Sequence, residues 1–349
     1  MELYLIEYQS MILFWNECPN TSIEKSSDDI EYLNICFQNL SQIPELPRFS
    51  RLKRLYCSNN QLCSMPSLPD TLETLVCCRN YILHLPVLPR GLKHLDCRKN
   101  LLEKLPELPD TLTILNCSDN AIRELPTLPS ELKHLYCSDN HGNSSMSYTL
   151  PECLQFLVIK DTSLRLLPEL PPGLESLVCS GNKMEELPEL PSRLRHLDCS
   201  DNLLKKISLL PLDLRFLDCS ENQLENLPPF SPNIRDVFCY RNPLYGILPD
   251  IPLSLRSIRF DYANSRFIYR NKSIAHIHDI HNQLRKFRFL FYCLKFKRPF
   301  RNWLWDKVRR PRIEAQCHPL RIAEFLEDGV EIEELDAVLD ADGAIGIFG

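Results

Sequence analysis

The string Cys117-Ser118-Asp119-Asn120 recurs as CSDN at Cys137 and again at Cys199. A thiol repeated beside a carboxylate raises the question of nucleophilic chemistry, which needs a cysteine exposed enough to ionise. Histidine offers one cluster, His276-x-His278-x-x-His281, with Cys293, Cys317 and His318 further on. As a zinc site it lacks the C-x-x-C pairing that marks such sites, and surface or helix-capping histidines are the simpler reading. Asp340-Ala341-Asp342-Gly343 begins like a calcium loop but has neither a third acid nor a terminal glutamate, so it is set aside. No cofactor or metal is expected.

The cysteines belong to a larger pattern. Aligned on itself, the chain repeats L-x-x-L-x-C-x-x-N-x-L-x-x-L/I-P-x-L-P-x-x with a typical length of 20 residues, in about twelve units from roughly Ile30 to Tyr262. The cysteine column holds Cys57, Cys77, Cys97, Cys117, Cys137, Cys179, Cys199, Cys219 and Cys239, with Ile159 breaking it once and Ile35 and Phe260 in looser flanking copies. An asparagine follows three residues later at Asn60, Asn80, Asn100, Asn120, Asn140, Asn182, Asn202, Asn222 and Asn242. Residues such as Leu52, Leu55, Cys57, Leu62, Met65 and Leu68 should face inward, each burial being worth roughly 1.5–3 kcal/mol once neighbouring coils stack. The asparagine amide should bond backbone groups at the bend that would otherwise be unpaired. One coil departs from the pattern: Thr162 replaces the asparagine, and HGNSSMSYTLPEC before it has lost its LPxLP, which predicts a loop or kink near Gly142 to Tyr148.

These residues resemble the leucine-rich repeat consensus, L-x-x-L-x-L-x-x-N/C-x-L, which implies a solenoid with one short parallel strand per coil. The short unit with LPxLP is similar to the LPX repeats of bacterial effector proteins. Two prolines per coil exclude a helical return leg and predict an extended, polyproline-like one. The coil spacing is then close to the strand spacing of about 4.8 Å, and curvature should be mild. Ubiquitin ligase effectors with such repeats use a nucleophilic cysteine in a C-x-D motif, within a separate helical domain. Cys117-Ser118-Asp119 imitates that spacing but sits at an inward position, where desolvation raises a thiol pKa and blocks attack. The region after the repeats is short for such a domain, and neither Cys293 nor Cys317 is followed by an acid two residues on. The ladder cysteines are therefore read as small buried hydrophobes, and the chain as a non-enzyme.

Alternate strand residues face opposite sides, which leaves two outward columns. One reads Arg54, Thr74, His94, Ile114, His134, Phe156, Ser176, His196, Phe216, Asp236, and the other Tyr56, Val76, Asp96, Asn116, Tyr136, Val158, Val178, Asp198, Asp218, Phe238. Tyr56, Tyr136, Phe156, Val158, Val178, Phe216 and Phe238 make this surface more apolar than solvation requires. Acids adjoin it at Asp119, Asp139, Asp161, Asp201 and Glu221, which suggests a basic protein or peptide as partner.

The chain has 349 residues, 44% hydrophobic and 25% charged, with net charge -6, which is globular composition rather than disordered or membrane composition. Its 27 prolines against 9 glycines point to many connections with fixed φ. The amino terminus, with Glu2 and Glu7 and no basic region, reads as neither signal peptide nor membrane span. Sixteen cysteines without a secretory signal point to a reducing compartment. After Tyr262 the period ends. Gln283 to Arg312 carries eleven basic residues against one acid, interleaved with aromatics, and Glu324 to Asp342 carries nine acids and no base. A helical region folding against the last coils is favoured over a nucleic-acid surface or a membrane-surface helix, because the acidic segment supplies a partner for the basic one. RPFRNWLWDKVRRPRIEAQCHPLRIAEFLED is similar to a terminal block of proteins of giant DNA viruses of amoebae, carried here by Trp303, Leu304, Trp305, Val308, Arg309, Pro311, Ile313, His318 and Pro319.

The resulting expectation is an α/β repeat solenoid, a leucine-rich repeat of about twelve coils with a parallel sheet on its concave face and a small helical carboxyl-terminal region. Residues 1–29 form an amino-terminal cap, 30–262 the solenoid and 263–349 the basic-then-acidic region. The expected function is non-catalytic protein binding through the strand face, in the cytoplasm, that of a host cell if the protein is viral. Candidate contacts are Tyr56, His94, Asp96, His134, Tyr136, Phe156, His196, Asp198, Phe216, Asp218 and Phe238, with Asp119, Asp139 and Asp201 on the rim. The alternatives are an adaptor or E3-like component in ubiquitin transfer and nucleic-acid binding through the basic segment.

Overall fold

A Leu, Val or Ile with a strand-forming neighbour on each side, followed in most coils by a cysteine two residues on, marks the middle of each coil, and each such stretch forms a three-residue strand. The computed structural model describes residues 29–259, apart from 44, 47–48, 141–148 and 245–248. All belong to one compact unit, Met1–Ile277. The strands are β1 (Tyr32–Asn34), β2 (Arg54–Tyr56), β3 (Thr74–Val76), β4 (His94–Asp96), β5 (Ile114–Asn116), β6 (His134–Tyr136), β7 (Phe156–Val158), β8 (Ser176–Val178), β9 (His196–Asp198), β10 (Phe216–Asp218), β11 (Asp236–Phe238) and β12 (Ser257–Arg259). They form one twelve-stranded sheet in sequence order, β1 to β12. Every pairing is parallel and in register with the repeat, so Leu95 lies beside Leu115 and His94 beside Ile114. The predicted solenoid of parallel coils is therefore observed.

Hydrogen bonding continues past the strand into the corner. Cys117 N–H donates to Tyr136 O at 2.9 Å, Asp119 N–H to Ser138 O at 2.9 Å and Asn120 N–H to Asp139 O at 3.2 Å. The corner closes through a left-handed residue just before each asparagine: Asn59, Arg79, Lys99, Asp119, Asp139, Asp161, Asp201, Glu221 and Arg241 all have φ between 50° and 55°. Asparagine and aspartate tolerate this region best among side chains with a Cβ, which gives many of the rim acids a backbone reason to be where they are. Gly181 takes the same place at φ 68°, and a Cβ there would collide with the Asp161 carboxylate.

The core is a stack of identical columns. Leu52, Leu55, Cys57 and Leu62 are fully buried, and Met65 nearly so, as expected. Leu68 differs: it is half-buried, while Pro69 beside it is buried; in the next coil Leu88 and Pro89 are both buried. Leu72 N–H closes the next bend onto Pro69 O at 3.1 Å, and the same bond recurs at Leu92, Leu112 and Leu132. No helix occurs among the described residues.

Asparagine ties the coils together. Asn100 Nδ2 donates to Cys97 O of its own coil at 2.9 Å and to Cys77 O of the preceding one at 3.1 Å, while its Oδ1 accepts Ile82 N–H at 3.1 Å. Where Thr162 interrupts the column, Asn182 serves two coils. Its Oδ1 accepts Thr162 N–H at 3.2 Å, Thr162 Oγ1–H at 2.9 Å and Leu164 N–H at 3.0 Å. The loop predicted at Gly142 to Tyr148, the amino-terminal cap and the whole region after 262 lie outside the described residues, as do His276, His278 and His281 of the histidine cluster.

Candidate functional site

A strand residue whose neighbours are leucines cannot turn inward, so positions one and three of every strand present their side chains on the open face of the sheet. There the columns stack at the strand spacing, and flat rings lie against one another. His134 and Phe156 are parallel with centroids 4.6 Å apart, and His196 and Phe216 are parallel at 4.3 Å. Phe216 reaches Phe238 at 5.6 Å, and the Arg259 guanidinium lies over Phe238 at 5.1 Å. Tyr32 and Tyr56 pair at 5.3 Å at the opposite end. Stacking of this kind holds each ring in place before any partner arrives.

Not every expected surface residue is on the surface. Asp96 is only 2% exposed, and Val76, Val158 and Val178 are buried, which corrects the reading of Asp96, Val158 and Val178 as open surface. These side chains lie beside one another or beside other short ones, Asp96 between Val76 and Asn116 and Val158 next to Val178. Tyr56, Tyr136, Phe156, Asp198, Phe216, Asp218 and Phe238 are half-buried, as are His94, His134 and His196. Asp139 and Asp201 are exposed and Asp119 half-buried on the rim.

Burial sets the electrostatics. The Asp96 carboxyl is pushed up to about 6 by desolvation, which outweighs the opposing pull of Arg98. Arg98 nonetheless holds it, with Nε 3.5 Å from Oδ2 and its backbone N–H donating to Oδ1 at 3.3 Å. His94 and His196 are pushed down to about 4, in both cases chiefly by desolvation. His94 Nε2 is buried with no hydrogen-bond partner, so the ring is held neutral. Asp198 accepts Ser200 Oγ–H at 2.6 Å and Ser180 Oγ–H at 3.3 Å, and Ser220 does the same for Asp218, whose carboxyl burial raises. Asp139 is raised by burial and then by Asp119 and Asp161 on either side.

The thiols face the other way. Cys57, Cys77, Cys97 and Cys117 are fully buried, and burial pushes their pKa up, well above the usual range for Cys57, Cys77 and Cys117. Several point their sulfur at the strand carbonyl of the next coil, Cys117 to Tyr136 O at 3.5 Å and Cys199 to Asp218 O at 3.4 Å. None of the thirteen described cysteines is in a disulfide, and among them only Cys63 and Cys153 are exposed. No group of three metal-ligating side chains occurs among the described residues. A depression of about 810 Å³ lined by Arg165, Leu166, Lys183, Glu185 and Lys206 lies after the asparagine corner and shares no residue with the strand face.

Sequence reasoning missed three participants. Arg98 occupies a corner position held by serine in most coils, and from two residues on it turns back to the Asp96 carboxylate. Arg259 lies in the least regular copy of the repeat. The third is the column just before each strand, in which Lys53 meets Glu31 at 3.1 Å, Lys93 meets Glu73 at 2.9 Å and Arg195 meets Glu175 at 2.9 Å. Its signal was available, as a Glu followed one repeat later by Lys or Arg at Glu31/Lys53, Glu73/Lys93 and Glu175/Arg195.

In-register parallel strands, a leucine and cysteine core and an asparagine-bonded corner are the fold of a leucine-rich repeat solenoid. No family model matches the chain, and no curated protein does so either. Among solved structures, YopM from Yersinia enterocolitica WA-314 is similar at 38% identity and a TM-score of 0.60, over 64% of this chain and 53% of that one. The functional domain of InlJ from Listeria monocytogenes, described as including a cysteine ladder, is similar at 25% identity and a TM-score of 0.51, over 62% of this chain and 50% of that one. The leucine-rich repeat domain of APL1B matches at 17% identity and a TM-score of 0.58, over 77% of this chain and 90% of that one, a likeness of fold alone. The chain spans about half the length of the YopM and InlJ chains it matches. Among the described residues no helix is long and apolar enough to cross a membrane.

Proposed function

We propose that the protein is a non-catalytic scaffold that binds another protein across the strand face. The row of pre-stacked rings carries this reading: His134 with Phe156, and His196 with Phe216 and Phe238, present apolar surface already fixed in position, so little ordering entropy remains to be lost on binding. The strands beneath are hydrogen-bonded on both sides and cannot add a peptide strand, so recognition is by side chains. A basic segment of the partner suits the middle of the solenoid, where Asp119, Asp139 and Asp161 follow one another and the Asp139 carboxyl is pushed up by burial and by its two neighbours. A cation there would relieve that repulsion.

The LPX character of the return leg and the likeness of the terminal block to proteins of giant DNA viruses support a protein that acts in a host cell. A column of buried cysteines serving as core residues along the described coils suits a reducing compartment such as the cytoplasm. Capture from host lysate tests the reading. Wild-type chain is expected to retain a discrete partner, and Tyr136→Glu, Phe156→Glu and Phe216→Glu together to lose it with the far-UV circular dichroism unchanged. A folded triple variant that retains the same partner would overturn the strand face as the binding surface.

A further inference from the structure

The column immediately before the strands changes character along the solenoid. In its earlier coils three of its four cations meet the acid of the preceding coil, Lys53 with Glu31, Lys93 with Glu73 and Arg195 with Glu175, while Lys133 follows Thr113. From there on the acids stop: the next three positions are Arg215, Arg235 and Arg256. They are held in a strict stack by the backbone, since Arg215 N–H donates to Arg195 O at 2.8 Å, Arg235 N–H to Arg215 O at 2.7 Å and Arg256 N–H to Arg235 O at 2.6 Å. All three side chains are exposed, and among the described residues none forms an ion pair. Three like charges at the strand spacing of about 4.8 Å repel, and no ion pair among the described residues relieves them.

This arginine row borders the most aromatic part of the strand face. Phe216 and Phe238 lie in contact at 5.6 Å on the same coils, with Arg259 over Phe238 continuing the positive charge across the sheet. We infer that coils β10 to β12 form a subsite for an acidic segment of the partner protein, its carboxylates set against Arg215, Arg235 and Arg256 and an apolar side chain against Phe216 and Phe238. Guanidinium groups suit carboxylates because they pair in a two-pronged geometry. A nucleic-acid strand fits less well. Its uniform phosphate charge would run over Asp198, Asp218 and Asp236, which share this part of the face. A protein segment can place its acids over the arginines and leave the aspartates alone. The subsite rests on the scaffold reading above and adds direction to it: the partner lies with basic character over Asp119, Asp139 and Asp161 and acidic character over β10 to β12.

The test uses the full chain with three fluorescein-labelled probes of equal length: a peptide alternating Glu-Glu-Phe, its Lys-Lys-Phe counterpart and an oligothymidylate. In fluorescence anisotropy at low salt the acidic peptide should bind more tightly than the oligothymidylate, and Arg215→Glu/Arg235→Glu/Arg256→Glu should weaken it by about tenfold or more. If that variant does not fold, Arg215→Gln/Arg235→Gln/Arg256→Gln gives the same reading with a smaller loss. The Lys-rich peptide should be indifferent to these changes or gain. No binding of the acidic peptide, binding unaffected by loss of the arginines, or tighter binding of the oligothymidylate would each overturn the subsite. Capture of the lysate partner separates the two readings. If the arginine variant captures it normally but the aromatic variant does not, the subsite fails and the scaffold stands; if neither variant loses it, the strand face itself is wrong.

Discussion

Removing one asparagine of the corner ladder should cost an amount that depends on how many groups it alone satisfies. Asn100→Ala deletes the acceptor of Ile82 N–H, a buried donor. The two carbonyls it served keep a partner each, Cys77 O from Asn80 and Cys97 O from Asn120, both at 3.1 Å. One buried unsatisfied N–H at about 1–3 kcal/mol, plus the loss of two shared bonds, gives roughly 2–4 kcal/mol. Asn182→Ala is worse because Thr162 cannot substitute for it. Thr162 N–H and Leu164 N–H both lose their acceptor, and Ile159 O loses its amide donor; Cys179 O keeps one from Asn202 and Ser180 O keeps one from Asp161 N–H, both at 3.1 Å. Three buried orphans make roughly 4–7 kcal/mol. A difference of about 2–3 kcal/mol should separate the urea midpoints by about 1 M, taking a slope of about 3 kcal/mol/M. Since nearest-neighbour coupling lets a solenoid melt coil by coil, the measurement should combine far-UV circular dichroism with the exposure of Cys179 to alkylation. Equal midpoints, or Asn100→Ala as the less stable variant, would refute the assignment of a double role to Asn182.

Two further outcomes concern the buried titratable groups. With a water-soluble alkylating reagent at mild alkaline pH, Cys63 and Cys153 should label rapidly and the ladder cysteines only after urea is added; Cys117 labelled as fast as Cys63 would contradict its burial. Asp96 and the histidines should have opposite pH signatures. The Asp96 carboxyl takes up its proton near 6 in the folded chain against an ordinary 3.8, so its contribution to stability falls as pH rises between those values. His94 and His196 are pushed down to about 4 from an ordinary 6.5, so the stability they contribute is present above that range and is lost as pH falls through it. Asp96→Asn removes the offsetting effect. Between pH 6 and 4.5 the variant should lose stability more steeply than wild type, by about 1.4 kcal/mol per pH unit, in urea titrations across that range. An unchanged slope would show that the folded carboxyl is not shifted.

The repeat itself was legible because each column is enforced by one requirement. Leucine and cysteine must fill the space between stacked strands, asparagine must bond the corner, and proline excludes a helical return. Periodicity also identified the two outward columns and the place where Thr162 breaks the ladder. It could not rank exposure within a column. Asp96 and Phe238 occupy equivalent positions in the repeat, yet Asp96 is sealed in while Phe238 stays half-exposed. The rim acids show a different ambiguity. Asp119, Asp139 and Asp201 looked like recognition residues, but their left-handed φ supplies a local reason for aspartate that composition alone does not reveal.

The amino-acid sequence by itself determined the architecture: period, register, inward columns and the burial of the ladder thiols all follow from side-chain size and hydrogen-bonding capacity repeated every 20 residues or so. What only the tertiary structure decided is how different coils meet. The stacking of His134 on Phe156, the stacking of His196 on Phe216 and the row at Arg215, Arg235 and Arg256 each join neighbouring coils. A repeat specifies what one coil must contain. The surface it offers a partner depends on which unlike residues are brought side by side at the strand spacing.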